Sequence, residues 1–83
     1  MKKTEIFLSS VKDVRDFVNM VIGINYDVDL MQDKYVIDAK SVMGIFALDL
    51  MTPITVIAHS DRTDDFFLGL EKFKKKDAHP NKI

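Results

Sequence analysis

The spacing of apolar residues switches repeatedly between two periods along this 83-residue chain, and that switching restricts the fold more than any single motif. Period two marks a strand with one buried face; a period near 3.6 marks an amphipathic helix. Residues 3–8 alternate, with Thr4, Ile6 and Leu8 on one face and Lys3, Glu5 and Phe7 on the other. That predicts a half-buried strand, stopped by Ser9-Ser10. Val11, Val14, Phe17, Val18, Val21 and Ile22 then recur at helical spacing, a stripe about three turns long. Ser10 with Asp13 three residues on is similar to a capping box built on the shorter acid, which puts the helix start there. Gly23 or Asn25 ends it.

Val28 and Leu30 alternate with Asp27 and Asp29 in a short second strand, and Gln32-Asp33 is read as the turn after it. Tyr35, Ile37 and Ala39 alternate with Lys34, Val36 and Asp38, so the two strands form a hairpin. Ser41 is a good N-cap for the compact run Val42 to Leu48, predicted as a short helix that Asp49 breaks. Pro53 precedes Ile54-Thr55-Val56-Ile57-Ala58-His59, the strand richest in β-branched residues. Ser60-Asp61 leads into a last helix with Phe66, Phe67, Leu70 and Phe73 buried. Asp64 and Asp65 at its start and Lys74-Lys75-Lys76 at its end suit the helix dipole, so the lysine run has a structural explanation. The predicted order is β-α-β-β-α-β-α, an open-faced α+β sandwich with helices on one face of a mostly antiparallel four-stranded sheet. Residues 1–76 are read as one domain. The polar segment 77–83, containing Pro80, is read as a frayed tail.

Composition narrows the function. At 47% hydrophobic and 30% charged residues the chain has the mix of an ordinary globular domain. A formal net charge of -1 gives no basic excess for nucleic acid. The lack of cysteine removes disulfides and thiolate metal sites. No apolar run approaches the ~20 residues of a membrane span, and the start reads as no signal peptide. The expected location is the cytoplasm.

The stretch Ala39-Lys40-Ser41-Val42-Met43-Gly44-Ile45-Phe46-Ala47-Leu48 resembles the regulatory-serine segment of the histidine-containing phosphocarrier (HPr) family of the bacterial sugar phosphotransferase system. There a Lys-Ser-Ile/Leu-Met-Gly sequence opens the short second helix. Ile54-Thr55-Val56 followed by Asp61, Asp64 and Asp65 is similar to the family's fourth strand and third helix start. The resemblance covers nearly the whole chain and implies the HPr fold. It also implies a regulatory phosphorylation site at Ser41 for a dedicated serine kinase. Lys40, Val42, Met43 and Phe46 would form the adjoining partner-docking patch. The same residues fit an N-cap and ordinary core, with exposure and burial of Met43 and Phe46 equally open.

The family's active segment, His-Ala-Arg-Pro-Ala at the start of the first helix, is matched here by Ser10-Val11-Lys12-Asp13-Val14. Ser10 stands where the histidine would be, Lys12 where the arginine would be, and Asp13 replaces the proline. Serine forms a stable phosphate ester and not the labile phosphoramidate a carrier needs. Asp13 and Asp16 also complement the helix dipole that would otherwise attract an anion. No catalytic residue is expected, and no cofactor. The implied function is a binding or regulatory module that has lost phosphate transfer. Its implied partners are phosphotransferase-system or regulatory proteins, with no nucleic acid and no membrane. The alternative is a carrier that uses His59, which lies on the strand face opposite Ile54, Val56 and Ala58 with no obvious partner nearby in sequence. The plainer reading of His59 is a partly exposed surface histidine. His79 lies in the polar tail, and two separated histidines give no metal spacing. Asp27 and Asp29 are read as a solvated strand face. Phe7, Val36 and Ile57 are expected on the uncovered sheet face, where they would form a self-association strip or scattered exposure. Monomer or dimer stays open.

Overall fold

The computed structural model describes residues 1–74. Its elements follow the predicted order. Strand β1 (Lys2–Ile6) leads to helix α1 (Val11–Ile22), then the hairpin β2 (Val28–Gln32) and β3 (Tyr35–Asp38). Helix α2 (Val42–Phe46), strand β4 (Ile54–Ala58) and helix α3 (Asp64–Gly69) follow, and α3 tightens into a 3-10 turn over Leu70–Phe73. The four strands lie in the order β1-β4-β2-β3 with every pairing antiparallel.

Register sets the two faces. Thr4, Val56, Leu30 and Ile37 form one row across the sheet, and Val28, Ile54 and Ala58 continue that face. Leu30, Val28, Ile54, Val56 and Ala58 are buried there with Val14, Phe17 and Val21 of α1, Ile45 of α2, and Phe66, Leu70 and Phe73. Phe17 meets Phe73 edge-on, ring centroids 6.2 Å apart at 82°, a favoured aromatic geometry. The opposite face carries the rows Lys3–Ile57–Asp29–Asp38 and Glu5–Thr55–Met31–Val36. The fold is therefore the expected open-faced α+β sandwich.

Several local expectations differ. Gln32 belongs to β2, and the turn is Asp33-Lys34, with Asp33 at φ 54°. The reason is tertiary. The Gln32 amide is tied to the loop after α2, where its Nε2 donates to the Asp49 carbonyl at 2.7 Å and to Thr52 Oγ1 at 2.9 Å. Its Oε1 accepts from Asp49 N at 2.8 Å. Val11 and Ile22, at the two ends of α1, are exposed, because the core covers only the middle of the stripe. The third helix begins after Thr63, which is buried, with Asp64 and Asp65 in its first turn as expected. Gly69 packs against α1: a Cβ there would lie 2.7 Å from Met20 Cε, the far end of a side chain free to shift. Phe7, Val36 and Ile57 form no apolar strip. Ile57 is buried between Lys3 and Asp29, whereas Val36 is open at the sheet edge. Lys74 donates to Thr4 Oγ1. Lys75, Lys76, His79 and the 77–83 tail lie outside the described residues.

Candidate functional site

The start of α1 is closed by its own residues. Ser10 is extended (φ -150°, ψ 166°), and its Oγ accepts from Asp13 N at 3.1 Å. Asp13 Oδ2 in turn accepts from Ser9 N at 3.0 Å. The reciprocal cap reaches one residue further back than a standard capping box, because the carboxylate folds over the entering chain. Of the N–H groups at the helix start, that of Asp13 is engaged by the neutral Ser10 hydroxyl, while the Asp13 carboxylate holds the preceding Ser9 N–H and sets a fixed negative charge beside the start. Lys12 faces along the helix and not toward its start: its Nζ bonds Asp16 Oδ2 at 2.8 Å. That bond is the main reason Asp16 titrates below the ordinary carboxylate range and Lys12 above the ordinary lysine value. Lys72 approaches the same carboxylate at 3.7 Å.

The second helix is arranged differently. Ser41 caps it, with Oγ accepting from Gly44 N at 3.1 Å. Gly44 permits that approach, since a Cβ there would stand 2.9 Å from Ser41 Oγ and 3.1 Å from Ile37 Cδ1. A five-residue helix can bury only one narrow stripe, and Ile45 fills it. Met43 is 84% exposed, and Val42 and Phe46 are 42% and 45% exposed. Lys40 is exposed, its N–H held by Asp38 Oδ1 at 2.8 Å.

Between α1 and α2 lies a cleft of about 360 Å³. Val42 and Phe46 form one wall. Val11, Val14, Val18, Arg15 and Asn19 form the other. The sequence reading named only the α2 side. The α1 wall was legible in principle. Val11 extends the stripe of the buried Val14 and Val18 past what the core covers, with Arg15 beside it. The cleft is small and mostly apolar, with Arg15 and Asn19 as its polar lining. Among the described residues no cluster of three or more histidines and carboxylates could hold a metal ion.

His59 is not partnerless. Its Nε2 lies 2.9 Å from Asp29 Oδ2, and its backbone N–H donates to the Asp27 carbonyl at 2.9 Å. Asp29 is therefore one half of a cross-strand pair and not simply a solvated acid. No sequence signal links residues thirty apart; the β2–β4 ladder does. β4 runs antiparallel to β1, so His59 follows the end of the sheet where β1 begins, and Ser10 follows the end where β1 stops. The structure does not bring His59 to the start of α1.

No family model matches the chain, and no curated protein matches its sequence. Solved structures do. The chain is similar to HPr-C-His from Thermoanaerobacter tengcongensis, with a TM-score of 0.73 and 20% identity over 87% of this chain and 89% of that one. It is also similar to a phosphocarrier protein HPr from Bacillus anthracis str. Ames, with a TM-score of 0.68 and 18% identity over 89% of this chain and 96% of that one. At this identity the likeness establishes the fold, which is that of HPr.

Proposed function

We propose that this chain is an HPr-like protein-docking module, cytoplasmic and bacterial, that carries no phosphate on a histidine and is regulated at Ser41. The observation that carries the reading is the contrast between its two helix starts. At α1, Ser10 stands in place of a nucleophile and caps the helix, and the Asp13 carboxylate on the Ser9 N–H sets a negative charge at its start. At α2, an apolar patch of Val42, Met43 and Phe46 stands open beside a cleft. Its partners are proteins of the phosphotransferase system or of its regulation. A serine kinase would transfer the γ-phosphoryl of a nucleoside triphosphate to Ser41 Oγ, releasing the hydroxyl proton and the diphosphate. That step adds a charge of about -1.5 to -2 beside Val42, at the edge of the apolar wall. Docking through that wall would weaken accordingly.

The test uses the full chain, the first enzyme of the phosphotransferase system and labelled phosphoenolpyruvate. No acid-labile label is expected, while amide shifts on adding the enzyme should cluster at Val42, Met43, Phe46 and Val11. Met43→Asp should abolish those shifts and leave the urea midpoint unchanged, because an 84% exposed side chain contributes little to folding. Stable phosphohistidine, above all label lost in His59→Ala, would overturn the reading in favour of His59 as the carrier.

A further inference from the structure

Helix α1 presents two rows of side chains to α2. Val14 and Val18, one turn apart, are 1% and 6% exposed and form the floor of the cleft between the helices. Val11, Arg15 and Asn19, again four residues apart, are exposed and form its rim. Val42 and Phe46 of α2 stand across from them. Met43, the most exposed apolar side chain of α2, does not line the cleft. The cleft is therefore a recess beside the exposed patch and not the patch itself. Its volume of about 360 Å³ falls at the small end of ligand pockets.

The polar lining is one guanidinium and one amide, and neither is in use. Among the described residues Arg15 makes no ion pair, and neither its side chain nor that of Asn19 makes a hydrogen bond. The acids that flank Arg15 along α1 are committed elsewhere. Asp16 holds Lys12 at 2.8 Å and lies 3.7 Å from Lys72, and Asp13 holds the Ser9 N–H at 3.0 Å. A guanidinium presents a two-donor fork that matches a carboxylate, and the amide one turn on can add a third donor. Beneath them the floor is aliphatic. One positive charge over an apolar recess is complementary to a ligand with one negative charge and an apolar body.

We propose that the α1–α2 cleft binds a small apolar monocarboxylate. The carboxylate sits on Arg15 and Asn19 at the rim, and the hydrocarbon body lies on Val14 and Val18 between Val42 and Phe46. A phosphate ester fits less well: one arginine leaves its second charge unmatched, and Asp13 and Asp16 on the same helix repel it. A protein docking on the open face of α2 would centre on Met43, outside the recess. The proposal does not rest on docking at that patch. A ligand of about ten non-hydrogen atoms in an open recess is expected to dissociate at about 0.1–1 mM.

The test is an amide-shift titration of the full chain at pH 7 with 3-phenylpropionate, beside the neutral 3-phenylpropan-1-ol. The acid should give saturable shifts at Val14, Val18, Val42, Phe46 and the Asn19 side-chain amide, and none at Tyr35 and Val36 of β3. The alcohol should bind about tenfold more weakly or worse, since it lacks the charge-assisted bonds. Arg15→Gln, at an exposed position, should remove the difference between acid and alcohol, with the amide spectrum as the check of folding. No saturable shift up to about 10 mM overturns the proposal. So does equal affinity of the native chain for acid and alcohol, or acid binding that Arg15→Gln leaves intact. Shifts at the cleft that appear only with an added protein would assign it to protein docking and overturn the proposal as well.

Discussion

Gln32 is the residue whose loss should expose most about how the site is held. It is 9% exposed, faces the helical side of the sheet from β2, and makes three hydrogen bonds to the segment between α2 and β4. Gln32→Met keeps the length and roughly the volume of the side chain and removes all three. Each such bond contributes about 0.5–1.5 kcal/mol net, and a stranded donor costs about 1–3 kcal/mol. The Asp49 carbonyl retains the Thr52 hydroxyl at 3.3 Å, so only the Asp49 N–H is stranded outright. Water reaches this half-buried site and reduces that penalty. The expected loss is about 2–3 kcal/mol, a large fraction of the stability of a small domain. With a urea slope near 1 kcal/mol/M for a chain of this size, the midpoint should fall by about 2 M. The melting temperature should fall by roughly 10 °C or more. Thr52→Val on its own should cost no more than about 1 kcal/mol, and less in the Gln32→Met background, where only its bond to the Asp49 carbonyl is left to lose. A Gln32→Met midpoint within about 0.2 M of the native chain would refute the view that this amide fastens the α2–β4 loop.

Ser10→Ala removes the α1 cap and should cost about 1 kcal/mol in urea unfolding without altering the amide shifts of α2. A loss below the error of the measurement would mean that Asp13 alone caps the helix. The Asp16–Lys12 pair makes a pH prediction. Asp16 titrates below its unfolded value, so its contribution is present above about pH 4 and is lost as pH falls through the lowered folded value. Asp16→Asn should therefore lower stability slightly at neutral pH, leave it unchanged in strong acid, and so flatten the acid side of the profile, read from urea midpoints at a series of pH values. Lys12 has the opposite sign: its contribution is present below about pH 10.4 and fades at higher pH.

What the sequence determined by itself is what acts over a few residues. Alternation in β1, β3 and β4 and the 3.6-residue stripe of α1 gave the element order, since the burial period is built into the backbone. Ser10 with Asp13 and Ser41 with Gly44 were readable as caps because the bonding groups lie three residues apart. The absence of a histidine at the start of α1 needed no coordinates. The tertiary structure decided whatever depends on which strand lies beside which. Asp29 and His59 meet only through the β2–β4 register. Gln32 becomes part of a strand because Asp49 and Thr52, far along the chain, supply its hydrogen bonds. Val11 and Met43 look like core by periodicity and stand in the open, because a period fixes the face of a helix but not how much of that face its neighbours can cover.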